Sequence, residues 1–204
     1  MSRYTGPRLK IMRALGVHLP GLSRKTVPDE RNHPPGQHGA RPKRKSQFGI
    51  QLLEKQKLRF NYGLSERQMQ RVVREARSSR EQTGKKILEL LERRLDNAVF
   101  RAGFAPTVMA ARQMVSHCHV RLNGRRINIP SIRVKPGDQI ALTDRARNNL
   151  LVQSCLKEPE LTRPEWLMVD ETKGSAQITR VPDADEVPFP IDMQQVIEYY
   201  AVRM

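Results

Sequence analysis

The chain has 204 residues and carries 37 basic against 21 acidic side chains, a formal net charge of +16. Two cysteines cannot make a disulfide framework, no apolar run reaches the roughly 18 residues of a spanning helix, and the opening MSRYTGPRLK has no apolar signal core, which sets aside a secreted disulfide scaffold and a helical membrane protein. The charge is also lopsided. Residues 1–86 hold 21 basic and 6 acidic side chains, whereas residues 87–204 hold 16 and 15. Solubility asks for a net charge of only about 2–8 in a small domain, so the first part is built for a polyanion. No basic helix carries a large aromatic face, which favours nucleic acid over a membrane surface. The expected compartment is a reducing one: the cytoplasm, or a plastid stroma for a chain made inside that organelle.

Residues 1–45 read as an extended basic arm. Prolines 7, 20, 28, 34, 35 and 42 and glycines 6, 16, 21, 36 and 39 interrupt it, leaving room for one short helix over residues 8–15. It carries eleven basic residues, with Arg41, Lys43, Arg44 and Lys45 close together. Its apolar mass is too small for a core of its own, so it is expected to be poorly ordered when free, and its removal to leave the remainder folded. Ser46 opens a helix that Gly63 ends. Ile50, Leu53, Leu58 and Phe60 make no clean face in it, and Lys55, Lys57 and Arg59 interrupt them. Ser65-Glu66-Arg67-Gln68 has the spacing of a capping box. The helix after it sets Met69, Val72, Val73 and Ala76 against Arg67, Arg71 and Arg74, which fall within roughly 60° of one another at 100° per residue. Glu75 and Glu81 do little to balance those arginines, and a phosphate partner would relieve their mutual repulsion.

A third helix is predicted from Thr83-Gly84 through Ile87, Leu88, Leu91 and Leu95. Leu91, Leu95, Ala98 and Ala102 continue its apolar face as far as Gly103, a helix stop. Pro106-Thr107 starts the next helix. Val120 and Leu122 then alternate into Asn123-Gly124, a turn whose residues both take positive φ, and Ile127 and Ile129 alternate out of it. Two short helices and a hairpin result, with Arg93, Arg94, Arg112, Arg121, Arg125 and Arg126 expected on the edges rather than among the apolar positions. Guanidinium groups on such a rim suit a phosphate backbone. Beyond lie a Pro136-Gly137-Asp138 turn and a strand over 139–142. Residues 150–156 fit either helix or strand. Short strands follow over 166–169 and 176–181 around Lys173-Gly174, then an acidic, proline-rich linker and a helix capped by Asp192. Residues 143–204 hold 7 basic and 11 acidic side chains, better suited to packing or protein contact than to phosphate.

RLDN (94–97), Gly103, ARQMVSH (111–117), VRLNG (120–124) and PSIRVKPGD (130–138) together resemble the RNA-binding module named for small-subunit ribosomal protein four, the alpha-L motif. LPGL (19–22), PPGQHG (34–39) and EKQKLRFNYGLSERQ (54–68) resemble the bacterial or plastid form of the same ribosomal family. The resemblance covers essentially the whole chain. It implies an α+β fold: a basic arm (1–45), a helical domain (46–90) completed by the terminal helix (191–204), and an inserted helix–helix–hairpin module (91–181, core 91–142) with a small, mostly antiparallel sheet, joined by a linker (182–190). It further implies a structural protein, not an enzyme, that binds 16S ribosomal RNA in its 5′ domain, nucleates small-subunit assembly and contributes to translational accuracy. The implied neighbours are small-subunit proteins five and three and the messenger RNA entry path.

The RNA-contact candidates are Arg41, Lys43, Arg44, Lys45, Lys55, Lys57, Arg59, Arg67, Arg71 and Arg74 in the early part. In the module they are Arg93, Arg94, Arg112, Gln113, His117, Asn123, Gly124 and Arg125. Arg93, Arg94, Arg112, Asn123 and Gly124 fall on the family's motif positions. His117-Cys118-His119 invites a metal reading, but alternate strand residues point to opposite faces and no CxxC or HxxxH spacing supplies further ligands, so neither metal nor cofactor is expected. Relatives with an N-terminal zinc cluster have cysteines there, and this chain has none before Cys118. Arg94-Leu95-Asp96 matches a word found in pseudouridine synthases, which makes an RNA-modifying enzyme the first rival. A stand-alone RNA-binding factor of the large subunit is the second. Against the enzyme, the word falls within a predicted helix and no length remains for a catalytic sheet. Asp96 is expected to bond a neighbouring arginine or the second helix.

Overall fold

The computed structural model describes residues 4–41 and 44–203. In chain order its elements are α1 (Arg8–Leu15), α2 (Gln47–Asn61), α3 (Glu66–Ser78), α4 (Thr83–Glu92), α5 (Leu95–Arg101), α6 (Val108–Ser116), β1 (Val120–Leu122), β2 (Arg125–Ile127), β3 (Gln139–Leu142), α7 (Asp144–Arg147), α8 (Leu150–Lys157), β4 (Leu167–Asp170), β5 (Ser175–Ile178) and α9 (Met193–Ala201). They fall into two units, Met1–Ile87 with Pro188–Met204, and Leu88–Val187.

The first unit is helical. Ser46 caps α2 by accepting from the Gly49 amide, and Ser65 and Gln68 form the reciprocal box at the start of α3. Helix α2 buries only Lys55, Leu58 and Asn61, as its mixed sequence foretells, and it packs against α9. Asp192 caps α9 by accepting from the Gln194 and Gln195 amides.

The expectation of an arm without a core is corrected over residues 8–22. Met12, Leu19 and Leu22 are buried to 1%, 0% and 1% exposure, alongside Ile11 and Leu15. Helix α1 lies against α2, the Asn61 side chain accepts from the Gly21 amide at 3.0 Å, and the Arg8 guanidinium donates to the Leu22 carbonyl at 3.1 Å. Too few apolar residues for a separate core are enough to complete a neighbouring one. Deleting residues 1–45 would therefore strip side chains out of the first unit.

A polar cluster ties α9 to α2 and α3. Glu66 accepts from Lys55 Nζ at 2.8 Å and from the Tyr200 hydroxyl at 2.8 Å, and Lys55 also sits 4.9 Å from the centre of the Tyr199 ring. Burial, and then the adjacent Glu66 carboxylate, push the Tyr200 phenol far above its ordinary value.

In the second unit five short strands pair antiparallel in the order β2-β1-β3-β5-β4. Val120, Ile140, Leu142, Ala176 and Ile178 face a core shared with α5, α6 and α8, where Trp166 is fully buried. Residues 150–156, open between helix and strand in the sequence, are helical because Asn149 accepts from the Leu151 amide and Val152, Cys155 and Leu156 turn inward together. Gly103 closes α5 at φ +82, and a Cβ there would lie 3.1 Å from the Pro159 Cβ.

The continuous helix expected through Leu91 and Leu95 is broken. Helix α4 stops at Glu92, and Arg94 is extended at φ −67, ψ 138 and bridges antiparallel to Arg133. The Leu95 amide donates to the Ile132 carbonyl at 2.8 Å and the Asp96 amide to the Pro130 carbonyl at 3.1 Å, while Arg93 accepts from the Val134 amide at 2.8 Å. Residues 130–134 thus satisfy amides that the preceding turn would have satisfied in a continuous helix. The apolar spacing survives the break, which is why periodicity does not reveal it.

Two measurements test these contacts. Leu19→Ala should cost about 2–5 kcal/mol in denaturant unfolding of the first unit; an unchanged midpoint would remove residues 8–22 from its core. Because the folded Tyr200 holds its proton more tightly than the unfolded phenol does, its contribution is intact below about pH 10 and is lost above it. Tyr200→Phe should flatten that alkaline fall in stability.

Candidate nucleic-acid interface

The basic residues sort into those held by the fold and those left to solvent. In the first unit α2 holds its cations. Lys55 is buried against Glu66, Lys57 lies 2.5 Å from Glu54, and Arg59 donates to Gln56 at 3.2 Å while lying 5.0 Å from the Phe60 ring centre. Helix α3 does the opposite. Met69, Val72, Val73 and Ala76 are buried, Arg67, Arg71 and Arg74 are exposed, and none of these three forms an ion pair among the described residues. Arg77, in the last turn, and Arg80, just past the end of the helix, are exposed as well. Arg41, Arg44 and Lys45 are exposed; Arg41 and Lys45 line a cleft of about 650 Å³ bounded by residues 32–41, and Lys43 lies outside the described residues.

In the second unit the central group is an anion. Asp96 is fully buried. Arg94 grips it with both ends of its fork, Nε to Oδ1 at 3.0 Å and Nη2 to Oδ2 at 2.9 Å. From α6, Arg112 brings Nε to 2.8 Å and Nη2 to 2.7 Å of Oδ2, and the Asn97 amide donates to Oδ1 at 3.0 Å. Arg94 and Arg112 were expected on the rim, yet each is only 8% exposed. One carboxylate gathers both, because a buried anion needs its lone pairs filled. Arg93 is half-buried, donating to Glu89 at 2.7 Å and to the Val134 carbonyl at 3.0 Å. A second buried cluster was missed in the sequence. Asn97 donates to Glu92 Oε2 at 3.0 Å, and Arg101, 3.5 Å from Glu92, donates to the Glu186 carbonyl at 2.7 Å.

Of the module's contact candidates, Gln113, His117, Asn123, Gly124 and Arg125 are exposed. Asn123 and Gly124 adopt φ 50 and 79, as the turn reading requires. Asn123 also works within the fold, accepting from the Gln139 amide at 2.8 Å and donating to Asp138 at 2.8 Å. The His117 and His119 ring centres lie 6.2 Å apart, and no three metal-binding side chains cluster among the described residues.

Residues 3–92 match the model for the ribosomal protein S4/S9 N-terminal domain, and residues 93–140 match the S4 domain. Over the full length of both chains the protein is 64% identical to small ribosomal subunit protein uS4B of Nitrosomonas europaea and 59% identical to uS4 of Methylobacillus flagellatus. It is 50% identical to uS4 of Prochlorococcus marinus, again over the whole of each chain. The chain belongs to the uS4 family. That is a family of ribosomal proteins rather than enzymes, and the geometry agrees: the aspartate of the synthase-like word has both oxygens engaged and no exposed surface. In this uS4 chain the word encodes a buried ion cluster: Asp96 was expected to bond a neighbouring arginine or the second helix, and it bonds both Arg94 and, on α6, Arg112.

Asp96→Asn should lower the unfolding free energy of the second unit by about 3–5 kcal/mol, since it leaves two guanidinium groups buried without their anion. Calorimetry or denaturant titration reads this directly. A loss below about 1 kcal/mol would mean the cluster is not what holds Arg94 and Arg112.

Proposed function

We propose that this chain is a structural protein of the small ribosomal subunit that binds 16S ribosomal RNA directly in its 5′ domain. Bound there, it nucleates subunit assembly and contributes to translational accuracy, next to small-subunit proteins five and three and near the messenger RNA entry path, in the cytoplasm. The observation that carries this reading is the exposed face of α3. Arg67, Arg71 and Arg74 stand together without an acidic partner among the described residues, in a chain 64% identical to a small-subunit protein.

Such a face costs self-repulsion in the free protein and gains when phosphates replace mobile counterions. Arg41, Arg44 and Lys45 extend the electrostatic contact, with Lys43 as part of the same sequence cluster. In the second unit the neutralising role is smaller. Gln113, His117, Arg125 and the Asn123-Gly124 turn offer donors and close backbone approach, suited to RNA shape. Arg94 and Arg112 act there through the rigidity of the Asp96 cluster, and the α2 cations through the packing of α2, before any contact of their own.

The test is binding to a 5′-domain fragment of 16S ribosomal RNA across a salt series. Arg67→Gln/Arg71→Gln/Arg74→Gln should weaken binding and make the log–log salt slope shallower by about 2–3, at about 0.7–0.9 per lost phosphate contact. An unchanged slope would remove α3 from the interface. Recovery of the protein on the large subunit after high-salt fractionation would overturn the assignment itself.

A further inference from the structure

We propose that Arg121 of β1 and Arg126 of β2 form a phosphate clamp on the solvent face of the sheet, a contact for an RNA backbone separate from the hairpin turn. The proposal rests on the RNA-binding reading above and adds a site to it.

The strand register sets Arg121 directly opposite Arg126. Val120 and Leu122 point into the core, so Arg121 between them points to the other face, and its partner does likewise. Two like charges facing each other across an antiparallel pair, with Cβ atoms about 4.5–5.5 Å apart, destabilise the hairpin. Neither guanidinium forms an ion pair or a hydrogen bond among the described residues, and Arg121 Nε is buried without a partner. An anion seated between the two side chains would turn that repulsion into attraction.

Nothing in the sheet supplies that anion. The row of residues on this face continues from Arg121 to Ala141, then Ser175, then Asp170. Asp170 is three strand spacings away, about 14 Å, and its carboxylate is engaged by Thr172 and the Lys173 amide. Asp138, in the loop nearest the hairpin, is engaged by Asn123 and the Lys135 amide. Ala141 and Ser175 beside the arginines are small, which leaves room for a backbone to come down onto the sheet. A tetrahedral phosphate offers oxygens to both guanidinium forks at once, and a nucleic-acid backbone presents phosphates in a row.

The full-length protein tests this with two variants. Arg126→Glu converts the repulsive pair into a cross-strand ion pair. It should leave the melting temperature of the free protein unchanged or raised, while weakening binding to small-subunit ribosomal RNA about tenfold or more. Arg121→Gln/Arg126→Gln should make the salt slope shallower by about 0.7–0.9, one phosphate's worth. A melting temperature lowered in both variants would overturn the clamp, since the pair would then be stabilising without an anion. RNA binding left intact by both would overturn it too, including where a polyglutamate peptide binds the wild type and not the variants, which would make the patch a protein contact. The α3 triple variant, run alongside, separates the failures. If it loses RNA binding while the hairpin variants do not, the clamp falls and the functional reading stands. If none of them does, the functional reading falls and the clamp with it.

Discussion

The second unit depends on one buried charge. Asp96 carries a carboxylate into an interior where an isolated anion would be prohibitively expensive, and two guanidinium groups and a backbone amide offset that cost. The consequence is geometric. Arg94 belongs to the extended link before α5 and Arg112 to α6, so a single carboxylate ties the link to both helices. The bridge from Arg94 to Arg133 adds the segment before β3 to the same knot. Four constituents of the unit are thereby located relative to one buried oxygen pair, and that part of the unit gains its rigidity from the knot.

The first unit uses the same device with a different partner set. Glu66, in the first turn of α3, accepts from Lys55 of α2 and from Tyr200 of α9. Its negative charge also suits the N-terminal end of the helix that carries it. Two consecutive helices and one distant in sequence meet at that side chain. The cation taken inward here, like Arg94 and Arg112 in the second unit, is engaged by a carboxylate, whereas the arginines of α3 stay exposed.

This division explains how charge is spent along the chain. The excess of basic residues lies in 1–86, yet part of it works inside the fold. Lys55 and Lys57 are neutralised by glutamates, and Arg8 and Arg13 serve backbone carbonyls. Among those that stay outward are the face on α3 and the cluster around Arg41. In the second unit, with nearly balanced charge, three arginines that form no ion pair among the described residues sit together on the hairpin, Arg121, Arg125 and Arg126. Net charge therefore points to the class of partner, and pairing decides which side chains are available to meet it.

The sequence by itself determined the family, the α+β class, the caps at Ser65 and Asp192, the Asn123-Gly124 turn and the opposition of apolar and basic faces on α3. Each of these is local: capping, turn conformation and helical periodicity act over a few residues, so the chain displays them directly. Only the tertiary structure decided the break at Arg93-Arg94, the docking of residues 8–22 and the inward turn of Arg94, Arg112 and Lys55. The first two depend on groups far away in sequence, the carbonyls of residues 130 and 132 and the side chain of Asn61; the third depends on where the fold places the carboxylates of Asp96 and Glu66, one of them only two residues from Arg94. An arginine's type and spacing are the same whether it meets a phosphate or a buried aspartate. Its partner is fixed by the folded chain, because a buried carboxylate must be matched by whatever cation the topology brings within reach.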